Sequence, residues 1–222
     1  MPVNTRHTIL NRLRAAAPKP IPARPHLPPL RELSMDHAQV VEQFIAKLGA
    51  QGGVAHCVAD QAGLLDKLAE ILAQEHVTRA MATTDAVLAP LQLEQWGRRA
   101  GIEVVTPAAF ADRTDYTRAV FDQVQAGISG ADFAVAESGT LVLAHDARMA
   151  RLVSVAPILH IAVVPGTRIV PVYETAVLAL FTPDRRPSQV TLITGPSMTA
   201  DIQATPFKGM HGPQKLVVLI AG

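Results

Sequence analysis

The sequence predicts an α/β fold: a mixed, mostly parallel sheet with helices on both faces. Short apolar runs alternate along the chain with longer stretches whose apolar residues recur at helical spacing, the order produced when crossover helices join parallel strands. Hydrophobic residues make up 49% of the chain but aromatic ones only 4%, so the core must be built from Ala, Val, Leu and Ile, as in strands buried on both faces. One pair of apolar runs flanks Ser138-Gly139, which adds an antiparallel hairpin.

The elements follow in order. Asn4 or Thr5 caps a short helix with Ile9, Leu10 and Leu13 on one face and Arg6, Arg12 and Arg14 over much of the rest. Such a helix needs a surface to cover it, on a partner or on a second copy of the chain. Prolines at 18, 20, 22, 25, 28 and 29 then favour an extended, polyproline-like run. Residues 1–30 are therefore expected to form an arm, and residues 31–222 the α/β domain.

Ser34 is positioned to cap a helix carrying Val40, Val41, Phe44, Ile45 and Leu48, ended by Gly49, Gly52 and Gly53. Gly53 to Val58 reads as a strand with Cys57 a small buried residue in it. Asp60 opens a helix with Leu64, Leu65, Leu68, Ile71 and Leu72 inward. A strand over 77–82, a helix over 91–99 closed by Gly101, a strand over 102–105 and a helix over 116–125 continue the alternation. The hairpin pairs 132–137 with 140–144. Beyond it, the spacing gives a strand at 158–164, a helix at 172–180, a strand at 189–194 and a last strand at 215–220.

Formal net charge is +1 with both signs mixed along the chain, which offers no footprint for nucleic acid or an anionic membrane. The most apolar segment, Leu152 to Pro165, is broken by Pro157 and His160 and falls short of the roughly 20 residues that span a bilayer. It reads as buried strand, with His160 a hydrogen-bonded core histidine. Cys57 is the single cysteine, so the chain alone cannot form an internal disulfide or a four-thiolate metal site. No metal-ligand spacing and no cofactor motif is found, and the start of the sequence lacks the basic-then-apolar pattern of a secretory signal, so a reducing cytoplasmic location is expected.

Three segments can carry chemistry. Thr194-Gly195-Pro196-Ser197-Met198-Thr199-Ala200-Asp201-Ile202 follows a strand and reads as the opening of a helix. Free N–H groups there, with the Ser197 and Thr199 hydroxyls, would attract a small anion, or those hydroxyls and Asp201 would only cap the helix. Glu137 lies where a strand meets Ser138-Gly139-Thr140; it is a nucleophile or general base beside a glycine that admits a ligand, or a solvated turn residue. Lys208-Gly209-Met210-His211-Gly212-Pro213 is a glycine-bracketed loop with a fixed cation and an imidazole that could fold over an acid and transfer a proton, or remain a polar surface.

Gly130-Ala131-Asp132-Phe133-Ala134-Val135-Ala136-Glu137-Ser138-Gly139-Thr140, the Thr194 to Ile202 block and His211-Gly212-Pro213 together resemble the LUD (lactate utilization) family, over roughly Ser34 to Ile220. The arm and the single cysteine are similar to the family's small subunits and not to those fused to iron–sulfur motifs. The resemblance implies a fold like that of ribose-5-phosphate isomerase, glucosamine-6-phosphate deaminase and the coenzyme A transferases. It also implies work alongside iron–sulfur partner subunits in oxidising L-lactate to pyruvate.

In coenzyme A transferases a glutamate before a small residue and glycine forms the acyl intermediate, and Glu137-Ser138-Gly139 is similar. The family often carries a base where Met198 stands and an acid where Gln203 stands. The expected ligand is a small anionic metabolite with Ser138, Gly139, Thr140, Thr194, Gly195, Ser197, Thr199, Asp201 and Lys208 around it, and Glu137 and His211 as reactive groups. A stand-alone transferase or sugar-phosphate isomerase is the competing reading.

Overall fold

The computed structural model of the chain describes residues 5–16, 33–182, 184, 187, 189–200, 206–208 and 211–222. Two compact units divide it, Met1–Leu30 and Arg31–Gly222. In the first, helix α1 (Thr5–Ala15) has no buried residue and leaves Ile9 and Leu13 exposed.

The second unit runs α2 (His37–Ala50), β1 (Val54–Val58), α3 (Gln61–Gln74), β2 (Arg79–Ala82), α4 (Leu93–Ala100), β3 (Glu103–Val105), α5 (Arg113–Asp122) and β4 (Ala126–Gly130). It continues β5 (Phe133–Val135), β6 (Thr140–Ala144), α6 (Leu152–Val155), β7 (Leu159–Pro165), β8 (Ile169–Val170), α7 (Tyr173–Leu180), β9 (Val190–Ile193), β10 (Met198–Ala200), β11 (Pro206–Lys208) and β12 (Lys215–Ala221).

Local chemistry sets the helix ends. Asp36, not Ser34, caps α2: its side chain accepts from the Gln39 N–H while the Gln39 side chain accepts from the Asp36 N–H. The reciprocal pair satisfies two donors at once, which Ser34 lacks the spacing to do. Asp60 caps α3 through the Gly63 N–H, as the sequence indicates. Gly101 ends α4 at φ 74°, a left-handed conformation that favours glycine.

Strands β1-β12-β7-β4-β2-β3 form a six-stranded sheet in which every pair is parallel. Antiparallel pairs lie outside it, in a four-stranded sheet, β8-β5-β6-β9, where only β5 and β8 run parallel, and in the two-stranded sheet β10-β11. The chain is thus α/β as expected, with its antiparallel pairing confined to the two smaller sheets.

Alternation along the strands builds two cores. Ile161 and Val163 of β7 pack with Leu64, Leu68 and Leu72 of α3 and Trp96 of α4. Ala162 and Val164, one residue out of phase, pack with Val40, Phe44 and Leu48 of α2 and with Leu141 and Leu143 of the small sheet.

Strand β4 has no counterpart in the sequence reading, although all five of its residues are buried. Its composition, Ala-Gly-Ile-Ser-Gly, carries little strand signal because close neighbours demand glycine. A Cβ at Gly127 would lie 1.8 Å from the Val153 carbonyl oxygen, and one at Gly130 would lie 2.1 Å from Asp85 Oδ1. Cys57, expected to be buried, is exposed, because β1 is an edge strand. The apolar segment from Leu152 begins as the single turn α6 before β7. Among the described residues no helix is long and apolar enough to cross a membrane.

Candidate functional site: a cleft at the amino ends of β7 and β12

The segment after β9 differs from its expected form. β9 pairs antiparallel with β6 and lies outside the parallel sheet, so the ligand rule for carboxyl ends of parallel strands does not reach it. No helix opens at Ser197: Met198–Ala200 is strand β10, paired antiparallel with β11. The Ser197 N–H donates to the Pro213 carbonyl at 2.7 Å and is not available to a ligand. Gly195, at φ 147°, packs against the end of α2, where a Cβ would lie 2.9 Å from the Gln51 carbonyl oxygen.

Thr194, Gly195, Ser197 and His211 nevertheless line one cleft of about 230 Å³, together with Ser154, Thr191 and His160. Its apolar walls are Val155, Leu192, Ile193, Pro213 and Leu216. His160 and Leu216 are the second residues of β7 and β12, so the cleft sits by the amino ends of those strands. The size suits a metabolite of a few heavy atoms, and the mixture of apolar wall and convergent polar groups is that of a small-ligand site.

Two buried histidines stand behind it. His160 is fully buried, and its Nε2 lies 2.9 Å from Ser129 Oγ. Among the described residues its Nδ1 has no hydrogen-bond partner. Burial pushes its pKa down to about 3, so the ring is neutral at physiological pH.

His145 Nδ1 lies 3.0 Å from the Met149 carbonyl, which only accepts, so that nitrogen carries the proton. Its Nε2 therefore accepts from the Thr191 hydroxyl at 2.7 Å. Thr191, with its proton held by His145, presents lone pairs to other donors. Burial lowers the His145 pKa, partly offset by the Met149 carbonyl.

The hairpin residues reach this region through hydroxyls. Ser138 Oγ lies 2.8 Å from Thr140 Oγ1, which lies 2.9 Å from Thr194 Oγ1 at the cleft. Glu137 does not line the cleft; its Oε1 accepts from the Tyr173 N–H at 3.0 Å, in the first turn of α7. Gly139 (φ 68°) admits helix α2 and not a ligand, since a Cβ there would lie 2.3 Å from the Leu48 nitrogen. Thr199 lies on β10 outside the cleft lining, and Lys208 is paired by backbone opposite Met198, its side chain outside the described residues. Asp201 also lies outside them. Sequence reasoning missed Thr191 and Ser154 and set His160 aside as core; no motif marks them, because the fold alone brings them together.

The sequence model of the LUD domain family matches residues 41–221. The chain belongs to that family. A lactate utilization protein C of Deinococcus radiodurans is 27% identical to this LUD protein over 217 residues, 97% of this chain and 93% of the relative. The likeness to the protein of that name from Macrococcus caseolyticus is 37% over 105 residues, 46% of either chain. For that from Halalkalibacterium halodurans it is 32% over 133 residues, 58% of this chain and 52% of the relative.

Among solved structures, a DUF162 family protein from Deinococcus radiodurans superposes with a TM-score of 0.63 over 85% of this chain and 99% of its own, at 23% identity. That likeness supports the LUD protein's fold. Met198, on β10, is 57% exposed. Among the described residues, no group of three or more His, Cys, Asp or Glu is placed to hold a metal ion.

Proposed function

We propose that this LUD-domain protein is an accessory subunit that binds a small 2-hydroxy or 2-oxo acid in an iron–sulfur-dependent oxidation of L-lactate to pyruvate in the cytoplasm. The carrying observation is the convergence of Thr191, Thr194, Ser197 and His211 over His160 in a metabolite-sized cleft. Relatives along the chain bear the name lactate utilization protein C, which supports the pathway. One cysteine in the sequence leaves an iron–sulfur cluster to partner subunits.

The cleft offers a 2-hydroxy acid complementary groups. The Ser197 hydroxyl and the His211 ring can donate to a carboxylate at the mouth, and the Thr191 lone pairs can accept from the 2-hydroxyl. The methyl group would rest against Leu192 and Pro213.

Calorimetric titration of the full chain with L-lactate and pyruvate tests the reading. Saturable binding, weakened by about tenfold in Ser197→Ala and in His211→Ala, is expected from loss of one ligand hydrogen bond each. Absence of binding to either acid, or normal growth on L-lactate of a deletion strain without a paralogue, would overturn it.

A further inference from the structure

The cleft above occupies the amino ends of its strands, whereas ligands of open α/β sheets gather outside the carboxyl ends, where successive connections leave in opposite directions. In this sheet that reversal lies between β2 and β4: the connection from β2 leads outward to β3, and the one from β4 leads the other way to β7. A rigid frame stands there. Asp85, 7% exposed, accepts from the Thr83 hydroxyl at 2.6 Å and the Gly130 N–H at 3.0 Å through Oδ2. Its Oδ1 accepts from the N–H groups of Val87 and Leu88 at 2.9 and 3.3 Å. The carboxylate thus ties together the ends of β2 and β4 and the turn that follows β2.

Beside this frame, two arginines from different segments line one cleft of about 130 Å³. Arg148 lies on the loop after β6, and its carbonyl accepts from the Thr84 N–H at 2.9 Å. Arg168 lies on the turn after β7. Among the described residues neither guanidinium forms an ion pair, although Asp132 and Asp146 line the same cleft. Asp146 Oδ1 instead accepts from the N–H groups of Arg148 and Met149, and Asp132 Oδ2 from that of Ala144. Arg168 also borders an adjoining cleft of about 300 Å³ by the ends of β1, β7 and β12, which leaves room for a body attached to the anion.

We propose that this edge is a second binding site, for a small metabolite bearing a phosphate or carboxylate that Arg148 and Arg168 grip. Guanidinium groups take both oxyanions through paired N–H donors. The site is separate from the cleft proposed for the hydroxy acid and does not depend on it.

Calorimetric titration of the full chain with inorganic phosphate and with malonate decides the matter, using Arg148→Gln, Arg168→Gln and, as a control on a distant exposed arginine, Arg118→Gln. All three positions are exposed, so the variants keep the fold, which their thermal melts verify. Binding weakened by about fivefold or more in both cleft variants and unchanged in the control supports the site, as expected for loss of a charge-assisted contact. Tighter binding of phosphate or of malonate then identifies which oxyanion it takes. No binding of either probe up to about 10 mM, a millimolar limit equivalent to only a few kcal/mol, or binding indifferent to either cleft arginine, overturns the proposal.

Discussion

His160 on β7 and Ser129 on β4 meet at 2.9 Å between Nε2 and Oγ, with neither side chain reaching solvent. The neutral imidazole this requires has a pH consequence. In the unfolded chain the ring takes up a proton near its ordinary value of 6.5, whereas burial holds it off until about 3 in the folded one. Between those values the unfolded state binds more protons, so stability is complete above pH 6.5 and declines as the pH falls. The slope approaches about 1.4 kcal/mol per pH unit for one such group. His145, lowered by burial too, adds in the same sense. Urea unfolding at pH 7 and pH 5 should therefore show the stability difference between wild type and His160→Gln shrinking by about 2 kcal/mol at the lower pH. A difference that does not move with pH would contradict a buried neutral ring.

Gly139 and Gly101 share a left-handed backbone, φ 68° and 74°, but not an environment. Alanine at Gly101 meets nothing within 4 Å and should cost only the conformational penalty, about 1 kcal/mol. At Gly139 the added Cβ would lie 2.3 Å from the Leu48 nitrogen, so the hairpin or α2 must shift. Gly139→Ala should cost at least about 3 kcal/mol, strain being added to overpacking. Denaturant midpoints for the two variants measure the gap directly, and equal losses would mean that α2 does not seat against this turn.

Much of this fold is legible because the physics acts locally. β7 from Ile161 and β12 from Leu216 are apolar runs since the sheet buries both their faces, and Asp60 announces α3 because a cap needs only the next turn. β4 is illegible for the opposite reason: Gly127 and Gly130 answer to Val153 and Asp85, contacts that no local pattern records. The candidate site divides in the same way. Thr194, Ser197 and His211 stand out as polar residues beside glycines, yet a strand and not a helix follows Ser197, because Met198–Ala200 finds a partner in β11. Thr191 and His160 join the cleft only through the meeting of the two sheets.

Glu137 offers a further test. Its carboxylate oxygen faces the Tyr173 N–H at the start of α7, where a negative charge also suits the helix dipole. Glu137→Ala should lower stability by about 1 kcal/mol, the usual effect of losing such an acceptor, and Glu137→Gln by less, since it keeps an oxygen there. Thermal unfolding of both variants checks this. Identical behaviour of Ala and Gln would argue against a capping role.

Asp85 is the most consequential single side chain for the parallel sheet's carboxyl edge. Four donors converge on its carboxylate: the Thr83 hydroxyl and the N–H groups of Gly130, Val87 and Leu88. Asn keeps one acceptor oxygen but must turn its NH2 toward either pair of donors. If the oxygen stays with Val87 and Leu88, the amide hydrogens oppose the Gly130 N–H in a buried corner. Asp85→Asn should therefore cost at least about 2 kcal/mol, and Asp85→Ala more, from unsatisfied buried donors. Thr83→Val removes one donor while leaving the carboxylate in place, so its cost should stay near about 1 kcal/mol. Equilibrium unfolding of the three variants should rank them in that order, and an Asp85→Asn variant as stable as wild type would show that the corner tolerates the missing charge.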